Sequence, residues 1–185
     1  MMLAVHRWPG PLPRWGGEVL VISIENSVGA TREQARARIR TAAREALAQS
    51  LDVAIERIAV ESTPGSAPRL VIDGAPVAIG LSISHAGALS MAAINPAGAV
   101  GLDLMAVQEV SDWARVAHDY LGMAAACRLA AMAVSDRAHA FAQAWAEREA
   151  RLKMHGEPLA EWTPLPDCSM QALALPAELV GAVAI

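Results

Sequence analysis

Between residues 69 and 105 short apolar runs alternate with turn chemistry, and this segment most constrains the fold. Runs at 69–73, 78–84, 88–94 and 99–105 have strand length, and Asp73-Gly74 and Asn95-Pro96-Ala97-Gly98 supply residues that reverse a chain. The longest apolar stretch, about 70–107, is interrupted by Asp73, Pro76, His85, Pro96 and Asp103, so no membrane-spanning helix fits there. The last run, VGLDLMAV (100–107), holds a single carboxylate. In an extended chain Val100, Leu102 and Leu104 face one way and Gly101, Asp103 and Met105 the other. An unpaired buried carboxylate is costly, so either that face is open to water or a partner or cation meets Asp103 there.

The flanking segments predict an α+β chain. EVLVISI (18–24) and RIAVES (57–62) read as strands, and TPGSAP (63–68) as a loop. Thr31 is placed to cap a helix over 32–50. A short helix is expected from Ser111 or Asp112, another at 122–132 and a long one at 135–155, stopped by a left-handed Gly156 with Pro158 beyond. ELVGAVAI forms a terminal strand. GEVLVISI followed by a helix is echoed by GAVGLDLMAV followed by a helix, which fits two similar halves, 1–95 and 96–185, packed as one unit.

Composition narrows the function classes. With 54% hydrophobic and 18% charged residues the chain fills a core, but one Phe and one Tyr against eight Met make that core small-sided and flexible. A net charge of -4 argues against broad nucleic-acid binding. Cys127 and Cys168 are too few for a disulfide framework or a multi-cysteine zinc site and read as free thiols of a reducing compartment. The first residues carry no secretory-signal pattern, and a cytoplasmic protein is expected.

Three constellations carry chemistry. In FAQAWAEREARLKMHG an apolar stripe of Ala138, Phe141, Ala142, Trp145 and Leu152 includes Glu149, with Lys153 one turn on and able to pair with it. An inward Glu beside a Lys is either a metal ligand or base with a phosphate-binding cation, or an ordinary i,i+4 pair at a core boundary. LSISHAG ends a strand at Ser84 and His85, where a hydroxyl, a ring and loop amides can hold phosphate oxygens; His85 alone is also read as a satisfied, partly buried histidine. Arg32, Arg36, Arg40 and Arg44, spaced by four, wrap slowly round one helix as a basic stripe, for an acidic partner or phosphate or as a solvated face. No Ser-His-Asp triad, phosphate loop, Rossmann fingerprint or HExxH motif is present.

Taken in order, SISHAG (82–87), VGLDLM (100–105) and FAQAWAEREARLKMHG (141–156) resemble the 4'-phosphopantetheinyl transferases of the surfactin-synthetase-activating type. That family shows a Ser-His at a strand end, a Gly-x-Asp-x-Glu strand and a helix reading Trp-x-x-Lys-Glu-x-x-x-Lys-x-x-Gly. Trp145, Glu149, Lys153 and Gly156 match at the same spacing, with Arg148 in the first Lys place. The resemblance implies a fold of two similar α+β halves with the site between them. It implies transfer of the phosphopantetheine arm of coenzyme A onto a serine of an acyl or peptidyl carrier protein, releasing adenosine 3',5'-bisphosphate. It further implies Mg²⁺ on Asp103 and Glu149, with Glu149 also the base for the carrier serine. Lys153 would neutralise the pyrophosphate, and Ser84 and His85 would hold coenzyme A phosphates. A monomer is expected, with a dimer as the alternative.

Two departures matter. Met105 stands where the motif has its second carboxylate, and a thioether is a poor Mg²⁺ ligand. Gly74-Ala75-Pro76 replaces the family's Gly-Lys-Pro, so Arg69 or the basic helix must supply the missing phosphate-binding charge. Met105 keeps a second class open, a non-catalytic relative that binds coenzyme A or a carrier protein.

Overall fold

Strand β2 (Leu20–Glu25) buries Leu20, Ile22 and Ile24 on one side and Val21 on the other. A strand covered on both faces needs a layer on each side, and the architecture follows from that. The computed structural model describes residues 2–63 and 67–185. Strands β1 (His6–Arg7), β2, β3 (Ile58–Glu61), β4 (Arg69–Ile72), β5 (Ala75–Ala86) and β6 (Leu89–Asn95) form one sheet in the order β1-β2-β6-β5-β4-β3. It is antiparallel except where β1 lies parallel to β2. Strands β7 (Gly101–Ala106), β8 (Met170–Ala172) and β9 (Leu179–Ala184) form a second, antiparallel sheet in the order β7-β9-β8. The fold is therefore mixed α+β, as expected.

Helix α1 (Arg32–Leu51) covers the outer face of the first sheet. Thr31 caps it in a reciprocal box, its side chain accepting from the Gln34 N–H while Gln34 accepts from the Thr31 N–H. Its Ile39, Ala43 and Leu47 pack on Ile22, Ile94 and Leu81. The inner faces of the two sheets meet through Val21, Met91 and Ala93 on one side and Leu102, Leu104 and Val183 on the other. Helix α4 (Val134–His155) lies on the outer face of the second sheet, with Ala142, Ala146 and Ala150 against Val180, Ala182 and Ala184. The order of layers is thus α1, first sheet, second sheet, α4. Each large aliphatic buried in this way contributes about 1.5–3 kcal/mol. Helices α2 (Trp113–Val116) and α3 (Met123–Ala130), joined by a π-helical turn at Ala117–Leu121, close the side of α4 around Phe141.

The free edge of β7 does not go unpaired. The Leu102 N–H donates to Ser82 Oγ at 2.9 Å and the Leu104 N–H to Ser84 Oγ at 3.1 Å, both hydroxyls coming from β5. Serine side chains thus satisfy an edge that strand pairing leaves open.

Turn chemistry behaves as the sequence predicts. Asp73 and Gly74 both take positive φ, 53° and 76°, at the β4–β5 reversal, and Asn95 Oδ1 accepts from the Ala97 N–H at 3.0 Å in the turn between β6 and β7. Gly156 caps α4 in the left-handed conformation. Three expectations are corrected. Strands β1 and β8 were not expected, being too short and too close to proline-rich chain to show a period. β5 starts at Ala75 rather than 78, because the tight two-residue turn lets pairing begin at once. The buried stripe of α4 is Phe141, Ala142, Ala146, Arg148, Ala150 and Leu152, two faces rather than one, since the second sheet and α3 contact it on different sides; Ala138 and Trp145 are only partly buried. Residues 64–66 of the expected 63–68 loop lie outside the described residues. No helix among the described residues is long and apolar enough to cross a membrane.

Candidate active site

Gly101 sets the distance between strand and helix. A Cβ placed there would lie 1.7 Å from the Ala150 carbonyl oxygen and 2.7 Å from the Met154 nitrogen, so only glycine lets α4 rest this closely on β7. The face of β7 carrying Gly101, Asp103 and Met105 is therefore the one that α4 covers, and the partner that meets Asp103 comes from that helix.

That partner is Lys153. Its Nζ donates to Asp103 Oδ1 at 2.6 Å, to the Leu102 carbonyl at 3.0 Å and to Ser84 Oγ at 3.4 Å. The expected Lys153–Glu149 pair is corrected: no ion pair joins them among the described residues, and Lys153 pairs across the layers instead. Asp103 Oδ1 also accepts from Ser84 Oγ at 2.9 Å. The single hydrogen of the Ser84 hydroxyl is thereby committed to Asp103, so Ser84 orients the carboxylate and is no free donor to a phosphate.

Asp103, Leu104, Glu149, Lys153, Ser84 and His85 all line one cleft of about 950 Å³. Its opposite wall is the 26–30 loop with Arg32, Arg36 and Arg40 of α1. Ser84 and His85 are neighbours on β5 and so point to opposite sides of the sheet, one toward β7 and α4, the other toward α1; the cleft runs round the end of the strand. Burial, then the nearby Asp103 charge, push the Glu149 carboxyl up, against the pull of Lys153 and Arg148. Burial pushes the His85 imidazole down, and Arg36, Arg32, Lys153 and Arg40 add to it.

His85 has a defined hydrogen-bond frame. Ser90 Oγ accepts from Asn26 Nδ2 at 2.6 Å and lies 2.6 Å from His85 Nδ1. With the imidazole held neutral, the network assigns the Ser90 hydrogen to Nδ1, which leaves Nε2 as the N–H. Among the described residues that Nε2 is buried without a hydrogen-bond partner, and so is Arg40 Nε. Two unmet donors lining one cleft suit an anion.

The basic stripe divides. Arg44 does not line the cleft: it donates to the Ile58 and Ile55 carbonyls and so holds the end of α1 to β3. Arg69 is exposed at the start of β4 and is not among the lining residues, although its neighbour Pro68 is; the arginines that line the cleft are those of α1. Arg148, in the motif's first Lys place, is buried with its Nη1 on the Thr163 carbonyl at 2.9 Å, pinning the segment after α4. Asn26 and Ser90 carried no signal in the sequence, since a polar residue at a strand end has too many uses. The Arg spacing was the signal for the α1 wall.

Met105 packs into the apolar clusters around Ala142, Ala146 and Phe141. Among the described residues no group of three His, Cys, Asp or Glu is placed to hold a metal ion. No curated protein matches the chain. Residues 99–180 match the model of the 4'-phosphopantetheinyl transferase superfamily, a span holding β7, α4, Asp103, Glu149 and Lys153.

Proposed function

We propose that the protein transfers 4'-phosphopantetheine from coenzyme A to a serine of an acyl or peptidyl carrier protein, releasing adenosine 3',5'-bisphosphate. The observation that carries this reading is that Asp103, Glu149, Lys153 and His85, drawn from three elements, line one cleft whose far wall is basic. The matched superfamily domain supports a phosphopantetheine transferase in general. Two sheets, each with its own long helix, support halves at 1–95 and 96–185 with the site between them.

Phosphoryl transfer asks a protein mainly to position reactants and neutralise charge. Glu149 takes the proton from the carrier serine as its oxygen attacks the phosphorus bearing the pantetheine arm. The raised carboxyl of Glu149 makes it a better proton acceptor than an ordinary surface glutamate. Lys153 faces the charge that develops on the departing bisphosphate, and His85 with Arg36 and Arg40 receives phosphate oxygens.

The donor set fits Mg²⁺. Asp103 and Glu149 offer hard oxygens, and burial, then the Asp103 charge, raises the Glu149 carboxyl, a penalty that a cation there would relieve. Met105, packed among alanines and Phe141, adds no ligand, so substrate oxygens and water would complete the shell. When bound there, Mg²⁺ supplies charge neutralisation at the pyrophosphate.

The test is a transfer assay with acyl and peptidyl carriers, coenzyme A and Mg²⁺, read by mass. A gain of one phosphopantetheine, lost in Glu149→Gln and Asp103→Asn, is expected; equal activity in both variants overturns the site. A second reading, a binding relative without transfer, is favoured by the packing of Met105 and predicts coenzyme A binding with no mass gain on any carrier.

A further inference from the structure

The ammonium of Lys153 sits on the same oxygen of Asp103 that a divalent ion would need. Three oxygens hold it: Asp103 Oδ1 at 2.6 Å, the Leu102 carbonyl at 3.0 Å and Ser84 Oγ at 3.4 Å. Ser84 donates to that same Oδ1 at 2.9 Å, so the oxygen already serves two donors. Glu149 is the other carboxylate of the cleft, and it has no ion-pair partner among the described residues. Position 105, the next place after Asp103 on that face of β7, is Met and packs into apolar clusters. The site is therefore a carboxylate with its own built-in cation, and not an open metal cage.

We infer that Lys153 acts as a resident counter-ion that competes with divalent metal at Asp103, so that metal binds well only when a pyrophosphate ligand takes the ammonium. This rests on the transferase reading for the identity of the ligand, but not for the competition itself. Two cations cannot share one buried carboxylate oxygen without repelling each other. A pyrophosphate in the cleft offers Lys153 stronger acceptors, frees Asp103 Oδ1 and adds its own oxygens. Metal and pyrophosphate binding are then positively coupled, and by linkage each tightens the other by the same factor.

The experiment is Mn²⁺ binding to the full chain, read from the electron-paramagnetic-resonance signal of free Mn²⁺, with and without coenzyme A and in the absence of any carrier. Lys153→Met and Lys153→Gln are compared with the parent. Gln retains hydrogen-bonding capacity toward the Leu102 carbonyl and Ser84, so it serves if Met disturbs folding, which thermal unfolding checks. Without coenzyme A, both variants are expected to bind Mn²⁺ at least about tenfold more tightly than the parent, as removal of an adjacent cation from a partly buried site requires. Asp103→Asn should abolish that gain. Coenzyme A should tighten Mn²⁺ binding to the parent by about tenfold and to Lys153→Met by clearly less. Mn²⁺ binding no tighter in the variants than in the parent overturns the competition. A gain in the variants with no effect of coenzyme A on the parent overturns the coupling. If coenzyme A shows no binding by calorimetry, with metal or without, the transferase reading fails while the competition at Asp103 still stands or falls on the variants alone.

Discussion

Replacing Gly101 by Ala tests whether the approach of α4 to β7 builds the site. The added methyl would sit 1.7 Å from the Ala150 carbonyl oxygen, 2.7 Å from the Met154 nitrogen and 2.8 Å from the Ala150 carbonyl carbon. All three atoms are backbone, so no rotamer change relieves the overlap. Restoring ordinary contact at 3.4 Å requires the strand and helix to part by up to 3.4 − 1.7 = 1.7 Å locally. The Ala142, Ala146 and Ala150 face of the helix, seated on Val180, Ala182 and Ala184, would be levered off with it. Overpacking costs about 1–3 kcal/mol where side chains can adjust. Here the upper end, about 3 kcal/mol, is expected, which lowers Tm by roughly 6–12 °C for a chain of this size.

The same displacement reaches the cleft. The 2.6 Å contact between Lys153 Nζ and Asp103 Oδ1 spans the two elements that must part. Misplacement by about 1 Å is enough to slow a positioned reaction about a hundredfold. Urea unfolding gives the stability loss and the transfer assay the rate, measured at a temperature where Gly101→Ala is still folded. A variant within about 0.5 kcal/mol of the parent, the span of neutral surface changes, would refute the close approach and with it the account of how Asp103 is covered.

Three residues give the remaining predictions. Arg36→Ala should weaken coenzyme A about tenfold by calorimetry, with the difference shrinking at high salt, because it removes a cation from the cleft wall. Arg44→Ala should leave that affinity unchanged and instead cost about 1–3 kcal/mol in urea, since it deprives two carbonyls of their donor; the opposite division would undo the split of the stripe. For His85 the folded imidazole titrates below its unfolded value of about 6.5. The unfolded chain then binds more protons, so stability is complete above that value and falls as pH drops through it toward the folded one. Unfolding midpoints from pH 7.5 to 5 should therefore decline more steeply in the parent than in His85→Asn, and parallel curves would contradict the burial of the ring.

The sequence exposed those features that depend on local geometry. Alternation along 100–105 separated Leu102 and Leu104 from Asp103, and the two sheets meet on the leucine side. Thr31, Asp73-Gly74 and Gly156 marked their boundaries because each satisfies a backbone requirement within a few residues. Features set by distant contacts stayed hidden. β1 is two residues long and exists only because β2 offers an edge. Arg148 reads as a solvated helix charge until the Thr163 carbonyl covers it. The frame of His85 depends on Asn26, fifty-nine positions earlier, and on Ser90.

Lys153 shows most clearly why helical spacing alone misassigned a partner. Glu149 and Lys153 are four apart on α4, the spacing of a helix ion pair. Yet α4 runs against β7: Gly101 lies under Ala150 and Met154, while Met105 packs with Ala142 and Ala146. From Gly101 to Met105 the strand advances about 13 Å, and from Ala150 to Ala142 the helix covers about 12 Å, so Asp103 falls midway, near the turn before Ala150. Side chains on a helix lean toward its N-terminus, so Lys153, about two turns beyond, reaches back toward that point along its long stem. Its ammonium then meets a desolvated carboxylate and a carbonyl at once, whereas Glu149 offers one partly solvated group. The stronger acceptors win, and the Gly-x-Asp strand and the Glu-x-x-x-Lys helix become a single unit. One residue inserted between Ala150 and Lys153 would swing the ammonium about 100° round the helix and leave Asp103 without it.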